Sequence, residues 1–179
     1  MNCKTSFLSS CTLFEAFSVD VDVDVDVDVD VDLAFRDLSG DMDPNFVHVF
    51  LSKLERYARK PDRALFLIKY KGSIIAFATI IDRAPVPDEL GEQLSVEFAR
   101  YACGTGLMVL PEFRKKGVAS LLVKEWTTWA QNKGLPGIWV VTRAMAEWYQ
   151  YHFSYVQLAH IHRHETVKTV LVKHMPSRQ

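Results

Sequence analysis

Cysteine is scarce in this chain: there are three, Cys3, Cys11 and Cys103. An odd number at irregular spacing builds neither a disulfide framework nor a zinc site, and no metal is expected. Such cysteine usage fits a reducing, cytoplasmic setting. An excess of one charge is lacking as well, since 21 Lys and Arg against 22 Asp and Glu leave a formal net charge of -1. That balance excludes a general pull toward nucleic acid or an anionic membrane, so electrostatic function must come from local clusters. No apolar run approaches the roughly 20 residues of a membrane-spanning helix. Two phosphate signatures are missing, G-x-x-x-x-G-K-[ST] and a G-x-G-x-x-G following a strand. The N-terminus from Met1 to Ser18 has one lysine and a short apolar patch broken by Ser9, Ser10 and Glu15. With no small-residue cleavage site after it, this is a poor signal peptide, and a frayed extension is expected instead.

What is present is an ordinary globular composition, 49% apolar and 24% charged over 179 residues, enough for one domain with a sizeable core. Val19 to Asp32 is a pure Val-Asp repeat. Clustered aspartates can bind cations, but an EF-hand loop needs glycine at its sixth position and glutamate at its twelfth, and the repeat has neither. A low-complexity segment whose end feeds a strand is the reading adopted. The domains are therefore set at 1–30 for an extension and 31–175 for the folded part.

Val31 to Arg36 reads as the first strand. Asp43-Pro44 opens a helix with cap and first-turn proline, and Phe46, Val47, Phe50, Leu51 and Leu54 give it an apolar face. Ala64 to Tyr70 and Ser73 to Asp82 read as a hairpin turning at Lys71-Gly72. Asp88 to Tyr101 is either a short helix over the sheet or a loop. Thr105 to Leu110 is a strand, and Arg114 to Asn132 a helix with Leu121, Leu122 and Trp126 inward and Trp129 near that stripe. A strand at Gly137 to Thr142, a helix at Ala144 to His152 and strands at Tyr155 to Ile161 and Thr166 to Lys173 complete the chain. The order predicts an α/β (α+β) fold: a mixed, mostly antiparallel sheet of about six or seven strands with helices on both faces.

Chemistry concentrates between Leu107 and Leu122. An apolar strand ends at Pro111, a basic turn of Arg114, Lys115 and Lys116 follows, then Gly117, then a helix. The first N–H groups of a helix have no intrahelical partner, and with the helix dipole they form a ready anion site. Gly117 and Ala119 keep bulk away, so a diphosphate can approach the backbone. Basic residues at a helix start oppose its dipole and need another reason to be there, which a phosphate supplies.

The same residues resemble motif A of the GNAT superfamily of N-acetyltransferases, R/Q-x-x-G-x-G/A, met by Arg114, Gly117 and Ala119. Pro111-Glu112 before the motif, Leu121-Leu122 after it and the surrounding element order also fit, over roughly Val31 to Lys173. The resemblance implies acetyl-CoA as co-substrate, bound in a splay between strands 4 and 5 that a bulge in strand 4 opens. Met108, Val109 and Leu110 would line the pantetheine, and Arg114, Lys115, Lys116, Gly117, Val118, Ala119 and Ser120 would cradle the diphosphate. A strand N–H freed by the bulge can serve as oxyanion donor. The implied reaction is direct transfer of acetyl to a primary amine in a ternary complex. A catalytically silent acyl-CoA-binding or regulatory domain on the same scaffold is the alternative.

Many relatives protonate the leaving thiolate from a tyrosine in F-Y-x-x-x-G-F. The phrase here is Trp148-Tyr149-Gln150-Tyr151-His152-Phe153-Ser154-Tyr155. Tyr149 is the natural match, Ser154-Tyr155 stands in for Gly-Phe with one extra residue, and that slip makes Tyr151 a second candidate. Thr142 replaces an asparagine often found there. A lysine-like amine, with a pKa around 10.4, needs a base. Asp82 and Glu97 are candidates for it, though each also reads as a surface carboxylate. His160, His162 and His164 share a strand face and read as half-exposed rather than metal-bound. The acceptor is left open between a small molecule and a protein amine; Asp88, Glu89 and Glu92 would favour a cationic one. A homodimer is also left open.

Overall fold

The computed structural model of the chain describes residues 11–17, 44–57, 60–71, 73–163 and 166–176. Two compact units emerge, Met1–Thr79 with Gly106–Glu125, and Ile80–Thr105 with Trp126–Gln179. The strands are β1 (Cys11–Phe17), β2 (Arg63–Tyr70), β3 (Ser73–Ile81), β4 (Ala102–Val109), β5 (Gly137–Thr142), β6 (Val156–Arg163) and β7 (Thr166–His174). The helices are α1 (Pro44–Tyr57), α2 (Glu92–Phe98), α3 (Val118–Asn132) and α4 (Ala146–Phe153). The sheet has seven strands in the order β1-β2-β3-β4-β5-β7-β6, which is the mixed class expected from the sequence.

In the first unit, β1 pairs antiparallel with β2, Cys11 opposite Tyr70 and Phe14 opposite Leu67. Cys11–Phe17 is thus a strand where the sequence suggests part of a frayed extension, and residues 1–10 lie outside the described residues. The edge of β2 supplies hydrogen-bonding groups that a strand this far upstream can satisfy, and local pattern cannot reveal such long-range pairing. The strand expected at Val31 to Arg36, the Asp43 cap and the Val-Asp repeat lie outside the described residues. Helix α1 buries Phe46 and Phe50, one turn apart, against Phe77 of β3 at ring separations of 5.4 and 5.5 Å. Burying each ring contributes roughly 2 kcal/mol or more. Lys71, at the turn after β2, has a left-handed φ of 52°, as a tight hairpin requires; Gly72 lies outside the described residues.

In the second unit, β4 and β5 run parallel, and their ladder joins Ala102 to Ile138, Cys103 to Trp139 and Gly104 to Val140. Strand β5 pairs antiparallel with β7 along its whole length, and β7 with β6. The segment left open between helix and loop holds a 3-10 turn at Asp88–Leu90 followed by α2. Leu90 and Phe98 are buried there, and the Phe98 ring packs on Tyr101 at 4.9 Å. Helix α3 buries Leu122, Trp126 and Trp129, while Leu121 is only half-buried. It starts at Val118 rather than Arg114, because the residues before it form a turn with two left-handed positions. Among the described residues no helix is long and apolar enough to cross a membrane.

Candidate functional site

The turn from β4 into α3 is built from short steps. Leu110 N–H donates to Ile75 C=O at 3.0 Å, tying the end of β4 to β3. A 3-10 turn follows at Pro111–Phe113, with Pro111 at its first position, where a missing N–H costs nothing. The Phe113 ring packs edge-on against Tyr70 at 5.7 Å, and Lys116 Nζ sits 5.4 Å from the Phe113 centroid. Arg114 is exposed and uses one guanidinium donor, Nε, on Val109 C=O at 3.0 Å. That bond holds the arginine against the strand end and leaves its remaining fork to meet an anion.

The backbone then takes an unusual path. Lys115 has φ 60° and Gly117 has φ 88°, both left-handed. For a lysine this conformation costs on the order of 1 kcal/mol, and residues held so tend to cluster where a ligand is gripped. The first helical closure is Ser120 N–H to Gly117 C=O at 3.0 Å, joined by Leu121 N–H to the same oxygen at 3.3 Å. The amides of Gly117, Val118 and Ala119 precede that closure and stand at the positive end of a 15-residue helix. Val118 is buried and anchors the first turn, whereas Lys115 and Lys116 are exposed. The first unit thus holds Met108, Val109, Leu110 and residues 114–120 as a strand end, a basic turn and a helix start. Helix-start amides beside basic side chains are groups able to bind an anion.

The two tyrosines belong to the second unit. Tyr149 is buried, 5% exposed, with Trp148 at 5.0 Å and Tyr155 at 5.2 Å between ring centroids. Burial pushes its hydroxyl well above the usual phenol range. Tyr151 is 86% exposed on the other side of α4. Helix α4 ends at Ser154, left-handed at φ 57°, the conformation usual for a helix-ending glycine. Ser154 therefore fills the glycine place in the tyrosine phrase and buried Tyr155 the phenylalanine place. Counted back from that turn, the slot of the phrase's tyrosine falls on exposed Gln150, with Tyr149 and Tyr151 either side.

Of the two carboxylates considered as base, Glu97 is exposed. Asp82 is largely buried; its Oδ1 has no hydrogen-bond partner among the described residues, and Arg83 Nε stands 3.5 Å away. His160 and His162 are exposed on β6, as expected of a half-exposed face. The His160 ring meets Gln157 Nε2 at 3.0 Å and Thr169 Oγ1 at 3.3 Å; His164 lies outside the described residues.

Residues 32–153 match the family model described as the acetyltransferase (GNAT) family. No curated protein sequence matches this one. Among solved structures, a Bacillus anthracis protein described as a streptothricin acetyltransferase, in complex with acetyl coenzyme A, is similar at 18% identity. The match covers 68% of this chain and 67% of that one, with a TM-score of 0.55. Ard1 from Thermoplasma volcanium matches at 13% identity over 94% of this chain and 99% of its own, with a TM-score of 0.57. Arabidopsis thaliana NAA60, in complex with a bisubstrate analogue, matches at 13% identity over 74% and 94%, with a TM-score of 0.51. At these identities the likeness is one of fold.

Proposed function

We propose, from the premise that this chain belongs to the GNAT family of acetyltransferases, that it transfers acetyl from acetyl-CoA to a primary amine by direct attack. The observation that carries the proposal is the turn before α3, where left-handed Lys115 and Gly117 bare three helix-start amides beside Arg114, Lys115 and Lys116. Two of the similar folds were solved with acetyl coenzyme A or a bisubstrate analogue, which supports that co-substrate. The diphosphate is held by the Arg114 guanidinium, the two lysines and the amides of Gly117, Val118 and Ala119, the Ser120 amide being taken by Gly117 C=O at 3.0 Å. Met108, Val109 and Leu110 line the pantetheine, and a strand amide stabilises the oxyanion formed as the amine attacks. The acceptor is a small-molecule or protein amine. Among the described residues Cys11 and Cys103 form no disulfide, in keeping with a cytoplasmic setting.

Collapse of the tetrahedral species expels a thiolate that needs a proton. Tyr149 is the better donor of the two tyrosines. Its burial excludes water from the proton transfer. Tyr151, almost fully in solvent, lacks that advantage.

Acetyl-CoA at a hundredfold excess over its Kd should stabilise the protein by about 2.7 kcal/mol, read as a rise in Tm. Gly117→Glu places a side chain at a left-handed position and a negative charge in the cradle, and should abolish that rise. An unchanged rise in this variant would sink the cradle assignment. A panel of amines read by thiol release then separates transferase from silent binder: stabilisation without release on any amine overturns the enzymatic reading. With an amine that turns over, Tyr149→Phe should lower kcat about 10²-fold at unchanged KM for acetyl-CoA, and Tyr151→Phe should leave kcat alone.

A further inference from the structure

Among the described residues the Tyr155 hydroxyl is buried and has no hydrogen-bond partner. A buried hydroxyl left so costs stability, and a chain that keeps one needs a reason. Its surroundings supply one. Tyr155 follows left-handed Ser154, and its N–H donates to Tyr149 C=O at 3.4 Å. The two rings then meet edge to face, 5.2 Å between centroids at an interplanar angle of 63°. Trp148 closes on the Tyr149 ring at 5.0 Å and packs on Phe153 at 5.0 Å. Contacts with Trp148 and Tyr155 thus fix the Tyr149 ring. All of these residues belong to the second unit. The ionisable neighbours that act on the Tyr155 hydroxyl are Tyr149 and, after it, Cys103. The Cys103 thiol turns to the Gly104 carbonyl at 3.8 Å. Tyr149 is the neighbour whose charge changes if it serves as the acid.

An acid gives up its proton only as readily as its anion is stabilised. An unperturbed phenol, with a pKa of about 10, is about thirtyfold weaker as an acid than a thiol at about 8.5. Burial makes the Tyr149 phenol weaker still. Water would stabilise the phenolate, and burial keeps water out. A fixed donor beside the developing charge replaces that water. We propose that Tyr155 is a positioning residue of the acetyl transfer, its hydroxyl kept unpaired at rest to hydrogen-bond the Tyr149 phenolate. The inference rests on Tyr149 as the acid in the reading above. As the tetrahedral species collapses, the C–S bond breaks and its electron pair leaves on sulfur. Sulfur takes the Tyr149 proton, and the phenolate oxygen accepts the Tyr155 O–H. The surplus proton of the attacking amine goes to water, and water returns one to Tyr149. The products are the acetylated amine and free coenzyme A thiol, with both tyrosines as they began. Tyr155 keeps its proton throughout, since its own burial resists ionisation.

The test uses the full chain and the amine that gives the fastest thiol release. Tyr155→Phe should lower kcat about tenfold, the effect of one hydrogen bond to a charged group, and leave KM for acetyl-CoA unchanged. Its Tm at pH 7 should not fall, and its Tm rise with acetyl-CoA should persist. In a Tyr149→Phe background the same change should cost nothing further, because the anion it serves is gone. Full kcat in Tyr155→Phe overturns the proposal. So does an equal loss in both backgrounds, which would mark a role apart from Tyr149. A lower Tm overturns it as well, since the hydroxyl would then already be bonded at rest. Full kcat in Tyr149→Phe overturns the acid assignment, and this proposal with it, and leaves the cofactor reading standing. Stabilisation by acetyl-CoA without thiol release on any amine overturns the enzymatic reading and this proposal together.

Discussion

Tyr155 has a buried hydroxyl with no hydrogen-bond partner among the described residues, and its ring meets Tyr149 at 5.2 Å, edge to face. Burial raises the ionisation of both phenols far above the ordinary 10.0, and for Tyr155 the neighbouring Tyr149 and Cys103 add to it. The folded chain therefore keeps two protons that the unfolded chain sheds near pH 10. Stability contributed this way is fully present below pH 10 and is lost as pH rises beyond it. Thermal melts should show a steep alkaline fall in Tm above pH 10, and Tyr155→Phe should flatten it. At pH 7 the same variant removes an unsatisfied hydroxyl from the interior, so its stability should be unchanged or higher by up to about 1 kcal/mol. The sequence names both Tyr149 and Tyr151 from an aromatic phrase. Which one is inside depends on where the helix stops, and Ser154 decides that through a left-handed backbone that no residue pattern announces.

At the level of elements, that stop can be tested directly. A serine at φ 57° carries a Cβ penalty that glycine lacks. Ser154→Gly should stabilise the protein by about 1 kcal/mol and raise Tm by a few degrees. A fall in Tm would mean that the serine side chain contributes more than the strain it brings. Elements whose signal is local were readable from the start: the aromatic stripe of α1, and the Pro111-to-Gly117 turn with the helix beyond it. The sequence pattern starts α3 too early because basic residues can continue a helical pattern; Lys115 and Gly117 instead turn left-handed, and the helix waits until Val118. The short β4–β5 ladder could not be read at all, since a parallel pair is joined only through distant chain.

For the molecule as a whole, β1 at Cys11–Phe17 is a paired strand within the segment 1–30 set as an extension. Removing residues 1–10 should leave Tm nearly unchanged, whereas removing 1–30 uncovers the edge of β2 and should lower Tm and promote aggregation. Equal melting of the two truncations would show that β1 adds nothing to the fold. Cys103 connects this global stability to something easily watched. It is buried on β4, opposite Trp139, with its thiol near the Gly104 carbonyl. A thiol-labelling reagent cannot reach it until the second unit opens, so its labelling rate counts opening events. The chain carries its own clock for spontaneous breathing, and a mass spectrum of that single peptide reads it without any engineered probe.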